Sequence, residues 1–243
     1  MERYSNKLKD LRVKIYADGA NLAGMLDAYQ HPYIKGFTTN PTLMRKAGIT
    51  NYQSFAENLL KAIPDRPISL EVLSDEFSEM ERQAHLIAGW GENVYVKIPV
   101  MNTRREPSYE LVKRLSHSGI KVNVTAVMTL VQVNDILKRI VGGSPCYISV
   151  FAGRIADTGR DPLPIIGEML TALRLLPNAE LIWASPRELL NIFQADSLGC
   201  HIITVTNDIL KKMELIGKDL NEYSLETVKM FYHDAKQAKY NLI

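Results

Sequence analysis

Val94–Tyr95–Val96–Lys97–Ile98 alternates aliphatic with polar or aromatic side chains, and a lysine falls among the valines. Successive residues of a strand face opposite sides of the sheet, so Val94, Val96 and Ile98 share one face and Tyr95 and Lys97 the other. Val122–Asn123–Val124–Thr125–Ala126 repeats the division, with Asn123 and Thr125 opposed to three apolar neighbours. The same parity places Tyr16 with Asp18, Ser69 with Glu71, and Tyr147 with Ser149 and Phe151.

Outward from these segments, short β-branched runs alternate with longer stretches of helical periodicity. The runs predict strands at Val13–Asp18, Gly36–Thr39, Ile68–Val72, Val94–Ile98, Lys121–Ala126, Cys146–Phe151, Glu180–Ala184 and His201–Val205. Between them Phe77, Met80, Ala84 and Ile87 recur at helical spacing, as do Val133, Ile136, Leu137 and Ile140. Parallel strands need crossovers, which this alternation supplies. Eight βα units of roughly 30 residues fill the 243-residue chain, the size of one (β/α)8 barrel. The pattern therefore predicts an α/β fold, a single TIM-barrel domain over residues 1–243 with a C-terminal helix. An open doubly wound sheet accommodates the alternation but not the shared parity. In a barrel the helices cover the aliphatic parity and the polar parity points inward. Each polar residue lies near the carboxyl end of its strand, so Asp18, Glu71, Lys97 and Asn123 converge at the mouth where such barrels carry their chemistry. One such residue alone would read as a solvated rim group; five strands on one parity do not.

Composition narrows the class. Apolar residues make up 46% and charged residues 23%, as in soluble globular proteins. Lysine and arginine number 29 against 27 acids, mixed along the chain, which argues against a nucleic-acid surface or an acidic disordered tail. No apolar run reaches the ~18 residues of a membrane span, and Met1–Asp10 is too polar for a secretory signal. The expectation is a cytoplasmic protein without membrane or nucleic-acid partners. Cys146 and Cys200 lie far apart in apolar surroundings, which excludes a disulfide scaffold and a Cys-rich zinc site. No His-Glu-x-x-His, cysteine pair or Asp-rich loop marks a metal site, and the five histidines are scattered. Neither metal nor cofactor is expected.

Lys97 carries the strongest chemical signal. A lysine inside a valine-rich strand is costly unless its stem packs and its head reaches a polar site. An unperturbed lysine is neutral, and so nucleophilic, in about one molecule in 2,500 at pH 7, and removal from water favours the neutral form. The competing reading is a buried ion pair with Glu71 or Asp18. Ser185–Pro186–Arg187–Glu188 reads as a capping box, with Ser185 at N-cap, Pro186 at N1 and Glu188 at N3. Arg187 then falls at the second helical position, where a cation opposes the helix dipole and so suggests an anionic ligand. Arg154, just after the sixth strand, would add a second guanidinium. Asn40–Pro41 is an N-cap followed by a proline at N1. Gly142–Gly143–Ser144 precedes a strand and reads as a turn, and Arg160 and Asp161 as a solvated loop.

The chain resembles the transaldolases, particularly the short single-barrel members that include fructose-6-phosphate aldolases. The likeness runs from about Val13 to the final helix. It rests on Ala17–Asp18–Gly19–Ala20–Asn21–Leu22, Thr38–Thr39–Asn40–Pro41–Thr42, Glu71–Val72, Val96–Lys97–Ile98–Pro99, Val122–Asn123–Val124–Thr125, Phe151–Ala152–Gly153–Arg154 and Ser185–Pro186–Arg187. The resemblance implies a Schiff base between Lys97 and a ketose, with Asp18 as general acid/base and Glu71 and Thr125 positioning a proton-shuttling water. It implies that Asn40 and Asn123 hold hydroxyls of the dihydroxyacetone unit, that Ser149 lines the same pocket, and that Arg154, Ser185 and Arg187 bind the substrate phosphate. A protonated imine serves as electron sink for carbon–carbon cleavage without a cofactor.

The implied reaction moves a dihydroxyacetone unit from sedoheptulose 7-phosphate or fructose 6-phosphate to glyceraldehyde 3-phosphate or erythrose 4-phosphate, as in the pentose phosphate pathway. The alternatives are a lyase releasing dihydroxyacetone, a transaldolase for a sulfonated sugar, and a silent sugar-phosphate-binding barrel. Aldolase-type members carry glutamine at the Glu71 position and tyrosine at the Phe151 position, so Glu71 and Phe151 favour transfer. Departures from the family are Gly19 for a usual threonine, Pro186 for a larger apolar residue, and a longer Val100–Pro107 loop with Arg104 and Arg105. By resemblance the chain is a homo-oligomer, a pentamer or decamer. In Tyr223–Tyr240, Leu225, Val228, Phe231 and Tyr232 have no ninth strand to cover and are available to a neighbour, unless the helix folds onto its own barrel.

Overall fold

Eight parallel strands close in chain order, each paired with the next and the last with the first. The structure is a computed structural model and describes residues 10–240. The Met1–Asp10 stretch read above for targeting thus lies, up to residue 9, outside the described residues. The strands are β1 (Lys14–Asp18), β2 (Ile34–Thr38), β3 (Ile68–Glu71), β4 (Val94–Pro99), β5 (Val122–Val127), β6 (Cys146–Val150), β7 (Ala179–Trp183) and β8 (Ile202–Thr206). The helices between them are α1 (Leu22–Tyr29), α2 (Pro41–Lys46), α3 (Tyr52–Ala62), α4 (Phe77–Ala88), α5 (Tyr109–His117), α6 (Leu130–Ile140), α7 (Ala152–Ala156), α8 (Pro162–Leu173) and α9 (Leu190–Ser197), and α10 (Asn207–Lys211) and α11 (Leu220–Gln237) follow β8. Among the described residues no helix is long and apolar enough to cross a membrane.

The predicted parity is the architecture. Leu70, Val96, Ile98, Val122, Val124 and Ile148 are fully buried in one apolar cluster with Leu59, Ala84, Val133 and Ile136 of the helices. Met80, Ala84 and Ile87 are the buried stripe of α4, and Val133, Ile136, Leu137 and Ile140 that of α6, as their spacing predicts. A second, separate cluster of Tyr16, Tyr95, Tyr147, Ile182 and Ile202 fills the barrel interior. Tyr95 stacks on Tyr147 with ring centroids 3.8 Å apart, and the Tyr16 and Tyr147 hydroxyls are 2.8 Å apart. These tyrosines sit one layer below the mouth, not at the strand ends, and form its floor. Gly36 of β2 makes room for them, because a Cβ there would lie 2.5 Å from the Tyr16 ring.

Four local expectations change. Strand β2 starts at Ile34, whose backbone pairs with Ile15, before the predicted Gly36. Strand β6 ends at Val150, so Phe151 is the half-buried residue leading into α7. Asp161 is no idle loop residue: it caps α8 by accepting from the Leu163 N–H, with Pro162 at N1. The capping box at Ser185 does not form. Ser185 has a φ of +60°, whereas an N-cap needs extended backbone, and the helix begins only at Leu190. The Asn191 side chain instead accepts from the backbone N–H groups of Arg187 (2.7 Å) and Glu188 (3.1 Å). Arg187 therefore lies before the helix, and the dipole argument for it falls away.

Asn40 does cap α2 through the Leu43 N–H, and Gly142 turns the chain before β6 with a φ of +74°. Burial pushes the Cys146 and Cys200 thiols up to about 12, leaving both as inert packing groups. Helix α11 buries none of its 18 residues, so it does not fold onto its own barrel.

The left-handed backbone at Ser185 gives a stability test. A non-glycine residue in that region costs ~1–2 kcal/mol, which glycine avoids at some cost in unfolded-state entropy. Ser185→Gly is expected to keep or raise the thermal midpoint, whereas loss of a true N-cap would lower stability by only a few tenths of a kcal/mol to glycine but by ~1 kcal/mol to alanine. A melting series over Ser185→Gly and Ser185→Ala checks it: alanine falling well below glycine, with glycine at or above wild type, is the expected order.

Candidate active site

Parallel registration sets Glu71 of β3 beside Lys97 of β4, and Lys97 beside Asn123 of β5. All three point inward by parity, so the amide of Asn123 continues the row of the charged pair onto β5. Lys97 is 6% exposed. Its Nζ donates to the Thr39 carbonyl oxygen at 2.9 Å and lies 3.1 Å from Glu71 Oε2. The ion pair weighed from the sequence thus exists, with Glu71 as the partner. It does not exclude nucleophilic chemistry, because Glu71 remains in reach to hold or move a proton at that amine. From outside the barrel, the Tyr52 hydroxyl donates to the Glu71 carbonyl at 2.9 Å and ties the end of β3 to α3.

Asp18 ends β1, partly open to solvent but surrounded by protein. Burial pushes its carboxyl above the ordinary value. The Lys97 charge and a hydrogen bond from Thr38 oppose the rise without cancelling it, and Glu71 adds to it. Beside Lys97, Asn123 is fully buried: its Nδ2 donates to Ser69 Oγ at 3.0 Å and its Oδ1 accepts from Ser149 Oγ at 2.7 Å. Thr125 is also buried, and its hydroxyl has no hydrogen-bond partner among the described residues. A buried hydroxyl left open in this way is available to a bound water or substrate oxygen. The bulge after it, where Ala126 takes a φ of +62°, breaks the β5–β6 register between Val124 and Val127.

The residues read as an anion site are brought together by the loops after β6 and β7. Gly153 permits this, since a Cβ there would come within 1.6 Å of the Ser185 carbonyl oxygen. Arg187 is not free: Asp157 takes its Nε at 2.9 Å and also its Nη2. That pairing holds Asp157 below the usual carboxylate range. Arg154 on α7 is exposed. Asn40 spends its Oδ1 on the α2 cap, and its amide N–H groups make no side-chain hydrogen bond among the described residues.

Val100–Pro107 is a tight hairpin, bridged between Met101 and Pro107. Thr103 binds Asp75 through its N–H and hydroxyl, and Arg104 pairs with Glu76 and Glu106. Arg104 is therefore committed to carboxylates and is a poor candidate ligand for an anionic substrate. At Gly19 an added Cβ would meet only Met25 Cγ, at 3.8 Å, so the missing threonine leaves space beside Asp18.

Three residues escaped the sequence reading as site components. Thr38 donates to Asp18, Thr204 of β8 sits against Thr38, and Asp157 holds Arg187. The inward parity of β2 and β8 would have singled out the two threonines; nothing in the sequence pairs Asp157 with Arg187.

A family described as Transaldolase/Fructose-6-phosphate aldolase matches residues 15–242. A "Probable transaldolase" of Thermoanaerobacter sp. is 34% identical over 218 residues, covering 89% of this chain and 95% of its own. A second, from Dehalococcoides mccartyi, is 31% identical over 202 residues, covering 83% and 90%. Among solved structures, dihydrodipicolinate synthase from Rhodopseudomonas palustris aligns with a TM-score of 0.55 at 14% identity, over 88% of this chain and 79% of that one, a likeness of fold alone. With the matched family spanning nearly the whole barrel and the Asp18, Glu71 and Lys97 side chains gathered at its mouth, the chain belongs to the transaldolase/fructose-6-phosphate aldolase family.

Proposed function

We propose that the chain is a transaldolase that moves a dihydroxyacetone unit between sugar phosphates through a Schiff base on Lys97. One observation carries this reading: an almost fully buried lysine held against a carboxylate at the mouth of the barrel, with a second carboxylate beside it. Glu71 receives the Lys97 ammonium proton, and the free amine attacks the C2 carbonyl of the ketose. Loss of the C2 oxygen as water leaves a protonated imine, with Glu71 and Thr125 holding the water that moves these protons. Asp18 takes the proton of the C4 hydroxyl, the C3–C4 bond breaks, and its electron pair flows into the imine to give an enamine. The aldehyde departs. An acceptor aldehyde is then attacked by the enamine, Asp18 returns its proton to the new hydroxyl, and water hydrolyses the imine.

Asn40, Asn123 and Ser149 bind the hydroxyls of the three-carbon unit. Arg154, Ser185 and Arg187 bind the phosphate, Arg187 being shared with or released by Asp157. The absence of a hydroxyl at Phe151 supports transfer over cleavage, because no phenol stands there to protonate the enamine. Sedoheptulose 7-phosphate or fructose 6-phosphate is the proposed donor, and glyceraldehyde 3-phosphate or erythrose 4-phosphate the acceptor, a role within the pentose phosphate pathway.

We further propose a homo-oligomer, a pentamer or decamer. The exposed Val228, Phe231 and Tyr232 of α11 support a second copy as its cover. Light scattering at micromolar concentration is expected to give a multiple of the 27.4 kDa chain, and a monomer would remove the idea.

The test of function is turnover of fructose 6-phosphate with and without erythrose 4-phosphate. Little free dihydroxyacetone is expected without acceptor, and Phe151→Tyr combined with Glu71→Gln is expected to raise that release. Equal turnover of the wild type in both conditions would make the protein a lyase. Arg154→Ala and Arg187→Ala should each lower kcat/KM for phosphorylated donors roughly 10- to 150-fold, the worth of a charge-assisted hydrogen bond, with little effect on unphosphorylated ones.

A further inference from the structure

Asp18 does not stand alone at the end of β1. The two strands flanking β1 each supply a buried threonine to the interior, Thr38 from β2 and Thr204 from β8. Thr38 Oγ1 lies 2.8 Å from Asp18 Oδ1 and 2.5 Å from Thr204 Oγ1. Thr204 makes no other side-chain hydrogen bond among the described residues, and Thr38 makes only these two. Each hydroxyl has one proton. When Asp18 is ionised, Thr38 must donate to the carboxylate, so Thr204 must donate to Thr38. When Asp18 carries the proton and donates it to Thr38, the Thr38 proton is free to turn toward Thr204. Both arrangements satisfy Thr38, and once Asp18 has gained or lost its proton the pair adjusts by rotation of the two threonine hydroxyls alone.

We propose that Thr38 and Thr204 form a reversible hydrogen-bond relay that positions Asp18 and supports it in both of its protonation states. Both threonines are positioning residues: no bond to substrate is assigned to them. The relay rests on the reading of Asp18 as the group that takes and returns a proton, a role that visits both states in each turnover. Ionised, Asp18 also faces Lys97 of β4 and Glu71 of β3, whose charges act in opposite directions. The hydroxyl pair is the uncharged contribution to that balance. Burial works against the ionised form, and the Thr38 hydrogen bond works for it.

The variants are Thr38→Val, Thr204→Val and the double, with Thr38→Ser as the conservative control. Two readouts are needed in the full-length protein. One is the titration of the Asp18 carboxyl carbon, followed by NMR with labelled aspartate and assigned through Asp18→Asn. The other is the pH profile of turnover. Thr38→Val is expected to move the Asp18 titration upward by roughly one unit, a tenfold change in its proton affinity. The acid limb of kcat should move with it, with KM changed less than about twofold, and Thr38→Ser should restore both.

Thr204→Val is expected to shift the titration when Thr38 is present and to have no further effect in Thr38→Val, because its influence passes through that hydroxyl. An unmoved titration in Thr38→Val, or an equal Thr204→Val effect in both backgrounds, would overturn the relay. Failure of the functional reading looks different: Asp18→Asn would keep its turnover while the titration shifts remained.

Discussion

The contact between Lys97 Nζ and Glu71 Oε2, at 3.1 Å and nearly shut from water, is the feature around which the mouth is organised. Two charges in such a place are tolerated only when geometry and further hydrogen bonds satisfy them, and removing one partner of such a pair typically costs ~3–5 kcal/mol. The barrel meets the requirement with backbone. The Thr39 carbonyl accepts from the ammonium, and parallel register between β3 and β4 sets the two side chains level. Outside the wall, Tyr52 fixes the Glu71 carbonyl, and the Thr103–Asp75 and Arg104–Glu76 contacts join the loops that follow these two strands. The pair is held from below, behind and above.

Closure of the sheet explains why the polar groups are stacked as they are. Tyr16 and Tyr95 precede Asp18 and Lys97 by two residues on their strands and fill the interior below them, while Asn123, beside Lys97 in register, has its amide satisfied by Ser69 and Ser149. Asp18 shows the consequence, its carboxyl raised by burial despite a cation and a hydroxyl that favour ionisation. A group poised in that way suits proton transfer in both directions better than a fully solvated aspartate does.

Much of this was legible in the chain because strand parity is a strong signal. The alternation in Val94–Ile98 and Val122–Ala126 by itself puts Lys97, Asn123 and Thr125 inside, and the closed barrel bears out that fold. What parity cannot supply is depth: Tyr16, Tyr95 and Tyr147 share the inward face with the charged residues yet lie a layer below them. Nor can local motifs supply backbone conformation. Ser185–Pro186–Arg187–Glu188 has every residue of a capping box, but Ser185 turns left-handed where its carbonyl passes close to Gly153, 32 residues away in the chain. The long-range partnership of Asp157 with Arg187 was likewise invisible, whereas Thr38 and Thr204 carry the inward parity of their strands.

The central claim is that Lys97 forms a covalent imine with a ketose phosphate. Borohydride added to the enzyme with fructose 6-phosphate reduces such an imine to a stable amine, which peptide mass spectrometry locates. The account predicts a single adduct on the peptide that contains Lys97, loss of activity in step with its formation, and no adduct in Lys97→Met. An adduct on a different lysine, or full turnover by Lys97→Met, would contradict it.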